Sequence, residues 1–191
     1  SVNTASCPPT DIDISKALVP ENEPVGTEVG GFATTDPDPG DTFTYTLVDD
    51  GSFPDNQYFY IVGDKLFTNA VFDYEVKSLY TIRVRSTDQG GLWTEKTFFV
   101  QIEDVNDPPV AYDQEVFTDQ GVPVNITLTG YDQDGDSLIF RVSTPPSSGT
   151  LTGVRPNLKY TPDPGFSGQD SFTFRAYDGL AWSNIATITI N

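Results

Sequence analysis

Aspartate recurs at short spacing in two places, Asp36-Pro-Asp38-Pro-Gly-Asp41 and Asp132-Gln-Asp134-Gly-Asp136. A further aspartate follows each stretch, in Arg85-Ser-Thr-Asp88 and Arg175-Ala-Tyr-Asp178. Carboxylates grouped this way are hard oxygen donors, the chemistry of calcium and magnesium. Aspartate and glycine are also favoured in solvated turns, so each stretch taken singly reads first as a turn. Composition narrows the choice. Among 191 residues there are 28 acidic and 10 basic side chains and no histidine, for a net charge of −18. Such a surface repels phosphate backbones and anionic headgroups, which counts against nucleic acid and direct membrane insertion as partners. Without histidine the usual general base near neutral pH and the usual zinc or copper ligand are missing. The single cysteine, Cys7, cannot form an internal disulfide; it pairs between chains or is an inert thiol. No basic-then-apolar leader opens the chain, so any signal peptide is expected to have been removed already.

The elements that must position these acids come as an internal repeat. Pro8-Pro9-Thr10 is echoed by Pro108-Pro109-Val110, the two aspartate stretches match, and Arg85…Trp93 matches Arg175…Trp182. Period-two alternation marks strands at Phe43–Leu47, Tyr80–Val84, Phe98–Ile102, Val124–Leu128, Phe172–Phe174 and Ile188–Ile190. Turn signals such as Asp50-Gly51, Pro145-Pro146 and Pro164-Gly165 separate them, and no helical stripe is sustained. The expectation is an all-β chain of two immunoglobulin-like Greek-key β-sandwiches in tandem, end to end. An N-terminal segment (1–9) leads into domains at 10–107 and 108–191. The connection Asp104-Val-Asn106-Asp107-Pro108-Pro109 is stiffened by proline and should hold the pair as a rod. Trp93 and Trp182 recur at the start of each last strand, where packing against the sandwich is favoured over a sugar-stacking role.

The first unit resembles a cadherin repeat over about residues 8–109. It carries Pro20-Glu21-Asn22, Asp73-Tyr-Glu75, Asp88 and the Asp104–Pro109 linker in the family's order. The second resembles the cadherin-like and Ig-like tandem repeats of large bacterial surface proteins, with Gly149-Thr-Leu151, Tyr160-Thr-Pro162, Gly165-Phe-Ser-Gly168-Gln-Asp170-Ser-Phe172 and Tyr177-Asp178-Gly179. It has no counterpart of the Pro-Glu-Asn or Asp-x-Glu motifs and no outgoing linker.

The resemblance implies one complete interdomain site for up to three calcium ions. Glu21, Asp73, Glu75, Asp104 and Asp107 would come from the first domain, Asn106 from the linker, and Asp132, Asp134, Asp178 and a carbonyl near Asp136 from the second. The linker has Pro108 where the family has asparagine, a position that contributes its backbone carbonyl. Eight carboxylates gathered without metal would repel one another, and calcium tolerates such irregular oxygen cages better than magnesium. Asp36, Asp38 and Asp88 form the equivalent half-site of the first domain. The segment Thr4-Ala-Ser6-Cys7 before it lacks acids, so weak or no binding is expected there. Asp119 reads as surface charge, and Asn125-Ile-Thr127 is a glycosylation sequon, meaningful only in a eukaryotic host.

With no nucleophile–base pair and no phosphate loop, an enzyme is not expected. Three functions remain. The chain is a calcium-rigidified module of an extracellular or cell-surface adhesin (a bacterial adhesin), whose partners are other adhesin domains or cell-surface or polysaccharide ligands. Alternatively it is a calcium-dependent carbohydrate-binding module, or a structural spacer of a large secreted enzyme. The N-terminal segment contains no tryptophan, which argues against strand-swapped homophilic contact.

Overall fold

A computed structural model describes residues 6–191, so Thr4 and Ala5 of the segment expected to lack ligands lie outside the described residues. The chain divides into two compact units between Val105 and Asn106. Both are built of strands; one 3-10 helix, Pro54–Tyr58, interrupts the first.

The first unit runs β1 (Asp11–Ile14), β2 (Leu18–Pro20), β3 (Glu28–Thr35), β4 (Phe43–Leu47), β5 (Phe59–Val62), β6 (Lys65–Thr68), β7 (Leu79–Asp88) and β8 (Trp93–Glu103). Its two sheets have the orders β1-β3-β6-β5 and β2-β8-β7-β4. The first strand region switches sheets: β1 lies antiparallel to β3, then β2 lies parallel to β8. This division is that of an immunoglobulin-type sandwich. Gly30 makes the switch possible, because a side chain there would collide with the backbone of Lys16 between β1 and β2. Inward-facing residues fill one core that includes Ile12, Val29, Leu66, Ile82, Val84 and Val100.

The second unit runs β9 (Val110–Ala111), β10 (Gln114–Val116), β11 (Val124–Thr127), β12 (Gly130–Tyr131), β13 (Ile139–Thr144), β14 (Gly149–Val154), β15 (Asn157–Pro162), β16 (Asp170–Tyr177) and β17 (Ala186–Ile190). Its sheets are β10-β17-β16-β13 and β11-β15-β14, with a short β12-β9 pair. A separate core gathers Ile126, Leu128, Tyr160, Phe172, Phe174 and Ile188. The strands expected from alternation all form, and the 3-10 helix was not foreseen. Its Asp55 and Asn56 side chains accept backbone N–H bonds from Thr81 and Arg83, a tertiary role with no local sequence signal.

β7 and β16 carry the register that matters for chemistry. Tyr80, Ile82 and Val84 face the core, and the same inward parity continues into buried Ser86 and Asp88. Along β16, Phe172, Phe174 and Ala176 point inward, and Asp178 follows with the same parity one step beyond the strand. Each strand therefore delivers an aspartate to the end of its own core.

The second core also contains a polar cluster at the other end of β16. Asp170 is buried, accepting bonds from the backbone N–H of Ser147, Ser148 and Ser171 and from the Tyr160 hydroxyl at 2.8 Å. Burial pushes its carboxyl upward, but these donors outweigh burial and hold it below the ordinary aspartate value. Asp170→Ala is expected to destabilise the second unit by about 2–4 kcal/mol, since it strands several buried donors. Denaturant unfolding followed through Trp182 in a Trp93→Phe background reads that unit alone. Because the folded value is lowered, the Asp170 contribution is present above the unfolded value of about 3.9 and is lost as pH falls below it. Wild type should therefore lose more stability than Asp170→Ala on acidification below about pH 4.

Candidate metal sites

In the first unit the Pro-Glu-Asn turn owes its shape to Asn22, which sits at φ 62°, a left-handed conformation that asparagine tolerates. The turn buries Glu21, leaving it 2% exposed. Its Oε2 accepts the Tyr74 N–H at 2.7 Å, inside Asp73-Tyr-Glu75, and its Oε1 accepts the Val105 N–H at 2.9 Å. One carboxylate thus ties three motifs together that lie far apart in sequence. Asp73 Oδ1 accepts the Val76 N–H at 3.0 Å; Glu75 and Asp104 are exposed beside these anchors.

In the second unit Asp132 is 6% exposed and its Oδ1 accepts the Asp136 N–H at 3.0 Å. Gly135, at φ 81°, lets the chain turn between Asp134 and Asp136; the Asp136 side chain itself is exposed. Asp178 Oδ1 accepts N–H bonds from Leu180 and Ala181, both at 2.6 Å, and its Oδ2 accepts the Asn106 amide at 3.1 Å. The Asp107 N–H donates to Asp134 Oδ2 at 2.8 Å. Burial raises the Asp178 carboxyl, but the Ala181, Leu180 and Asn106 donors prevail and set it below the ordinary range. Asn106 and Asp107 are thus bonded into the second unit, while the preceding N–H, of Val105, belongs to the first.

A third group lies in the first unit, at the Asp88 end of the β7–β8 hairpin. By antiparallel register Asp88 stands at the opposite end of that hairpin from Glu103, beside which Glu21 lies, roughly 30 Å away. Carboxylate oxygens of Asp36, Asp41 and Asp88 lie within 4.8 Å of one another. Asp38, expected in this group, accepts the Cys7 N–H at 2.6 Å through Oδ2, as Asp134 accepts that of Asp107, and Asp41 is an addition that spacing did not single out. Gly40, at φ 94°, turns Asp41 back toward Asp36, a tertiary consequence that spacing alone did not reveal. Burial, and then the charges of Asp36, Asp38 and Asp88, push the Asp41 carboxyl above its ordinary value.

One observation tests whether cations suit these groups. Among the described residues, the buried oxygens Asp36 Oδ2, Asp88 Oδ2, Asp132 Oδ2 and Asp134 Oδ1 find no hydrogen-bond partner. In three of these side chains a backbone N–H of the same unit fixes the other oxygen: Asp38 to Asp36, Leu92 to Asp88, Asp136 to Asp132. An ionised oxygen buried without a donor is costly, and a hard divalent cation is the partner that an all-oxygen set fits.

The tryptophans depart from expectation. Trp93 is 51% and Trp182 40% exposed. They lie on outer sheet faces, Trp93 under Arg85 at 4.3 Å and Trp182 stacked on Tyr177 at 4.6 Å. Core positions near Trp182 are already filled by smaller inward residues, Ala176 and Ala186.

Among the described residues no helix is long and apolar enough to cross a membrane. The cadherin-domain family matches residues 15–103, and the bacterial Ig-domain family matches residues 106–191. Cadherin-related family member 1a of Danio rerio is 31% identical over 140 residues, covering 69% of this chain and 16% of that protein. Human protocadherin gamma-C4 is 33% identical over 141 residues, covering 69% of this chain and 14% of its own length. The chain therefore spans only a small part of these relatives. Among solved structures, human protocadherin-24 EC1-2 is similar in fold at 18% identity, with a TM-score of 0.65 and 93% of each chain covered. The chain is thus built of a cadherin domain over residues 15–103 followed by a bacterial Ig-type domain over residues 106–191.

Proposed function

We propose that this tandem is a calcium-binding module of an extracellular or cell-surface adhesion protein, non-enzymatic, in which calcium at the junction fixes the two domains in one orientation. The observation that carries this reading is the set of buried, unpartnered carboxylate oxygens of Asp132 and Asp134. The relatives' cadherin names support the adhesive setting. Glu21, Asp73, Glu75 and Asp104 on one domain, and Asn106, Asp107, Asp132, Asp134, Asp178 and the Asp136 carbonyl on the other, would hold the ions. When bound, calcium supplies positive charge shared by two ligand sets, which favours the one arrangement in which both face it. The residues' own work is separate from the ion. Glu21 anchors its three motifs, and the Asp178 and Asp134 bonds to Asn106 and Asp107 set the linker's direction. Extracellular calcium modules of this kind bind at roughly 10⁻⁴–10⁻³ M, which matches an extracellular setting and leaves the site empty in the cytosol.

The same reading extends to Asp36, Asp41 and Asp88, where two further unpartnered oxygens support binding of one additional ion.

At calcium about 100-fold above Kd, stabilisation should reach roughly 2–3 kcal/mol, seen as a raised Tm reversed by EDTA. Small-angle scattering should show a narrower spread of interdomain distances with calcium; if EDTA changed neither quantity, the junction reading would be lost. Asp134→Ala should weaken calcium binding at least ~10-fold by titration calorimetry while both cores stay folded, because each unit has its own core. Asp88→Asn should lower the stoichiometry by one ion and leave the junction sites intact; an unchanged stoichiometry would remove the additional site alone. In EDTA, Asp41→Asn should raise the Tm of the first unit slightly, since it removes a charge that Asp36, Asp38 and Asp88 repel.

A further inference from the structure

The outer faces of the two Arg-bearing strands differ in one respect. In the first unit Arg85 on β7 faces Thr46 on one neighbouring strand and Glu95 on the other. Glu95 takes both Arg83, at 2.9 Å, and Arg85, at 2.7 Å, and their guanidiniums hold its carboxyl below the ordinary value. That face is neutralised internally. In the second unit the matching residue is Arg175 on β16. It faces Arg141 on β13, where the first unit has Thr46. Phe174 pairs with Ala186 on the other side, so the next position, the counterpart of Glu95, is Ile185.

Two like charges directly opposite on neighbouring strands destabilise a sheet. Among the described residues neither Arg141 nor Arg175 is ion-paired, although acidic residues outnumber basic ones throughout the chain. The two arginines line a depression of about 320 Å³ with Ser143, Trp182 and Ile185. Arg141 stands 5.5 Å from the Trp182 ring. All of the lining residues but Arg175 are exposed, so the depression is an open surface site in which two guanidiniums converge beside one aromatic ring.

We infer that Arg141, Arg175 and Trp182 form a binding site for a glycan ending in a sugar that bears a single carboxylate. Guanidiniums match a carboxylate with paired, charge-assisted hydrogen bonds, and the exposed indole supplies a flat apolar surface for the sugar ring. The net charge disfavours an occupant with many anionic groups. A chain at −18 repels polyanions over the range of screening, so nucleic acid and heavily charged polymers are disfavoured. This site shares no residue with the calcium ligands and needs no calcium.

The test uses the whole chain in EDTA, with sialyllactose, its carboxylate methyl ester and lactose as probes. In a Trp93→Phe background, Trp182 is the remaining tryptophan and its fluorescence reports binding. Sialyllactose should change that emission and bind at least ~10-fold more tightly than either neutral probe, with affinity falling as salt rises. Arg141→Gln and Arg175→Gln should each weaken it at least ~10-fold. Ile185→Glu, which supplies the acid the first unit has at this place, should abolish binding with Tm unchanged, because Ile185 is 52% exposed. Equal binding of lactose, undiminished binding to Ile185→Glu, or no binding of sialyllactose would overturn the inference. Equal binding of a glutamate-containing peptide that persists in Trp182→Ala, read by titration calorimetry because that variant lacks the reporter, would also overturn it, in favour of a simple charge patch. Binding that survives EDTA while calcium stabilisation is absent would separate this site from the junction.

Discussion

Carboxylates held at the ends of a hydrophobic core are the constraint around which both domains are arranged. Each sits on a strand or turn that its own sandwich fixes, and a backbone N–H satisfies one oxygen. Asp36, Asp88 and Asp132 are held this way, and each has its other oxygen buried and unpartnered. The fold itself supplies the burial. The inward parity that packs Tyr80, Ile82 and Val84 is the parity that carries Asp88 inward. Moving it outward would require a register shift that exposed the whole strand's apolar set.

Asp170 shows the opposite solution to the same problem. It too is a buried aspartate beside a core, yet backbone amides, a serine hydroxyl and the Tyr160 hydroxyl satisfy both of its oxygens. No external charge is needed there, and its role is to fasten the turn at Ser147–Ser148 to the sheet. Comparing the two kinds of aspartate distinguishes structural acids from acids arranged for a ligand. Residue type does not separate them; the count of donors around each oxygen does.

The outer sheet faces repeat this lesson with the sign reversed. Glu95 closes the arginine pair of the first unit, whereas Ile185 and Arg141 leave that of the second unit open. Both tryptophans flank these arginines. Repetition of the fold has thus preserved the position of the arginine while its counter-charge has changed.

Much was legible in the sequence because it depends on local chemistry. Period-two alternation gave the strands, glycine and proline gave the turns, and the order of Glu21, Asp73-Tyr-Glu75 and Asp104–Pro109 gave the first domain's kinship. The composition also fixed the class of chemistry, since a chain without histidine and with 28 acids has oxygen donors to offer. What tertiary structure decided was which atoms meet. Asp41 joins Asp36 and Asp88, and Trp93 and Trp182 lie on outer faces. Spacing along a chain says which residues share a face, but a glycine at positive φ such as Gly40 can bring in a further carboxylate. Cross-strand neighbours such as Arg141 and Arg175 lie 34 residues apart and are opposed only through sheet register, which long-range pairing alone establishes.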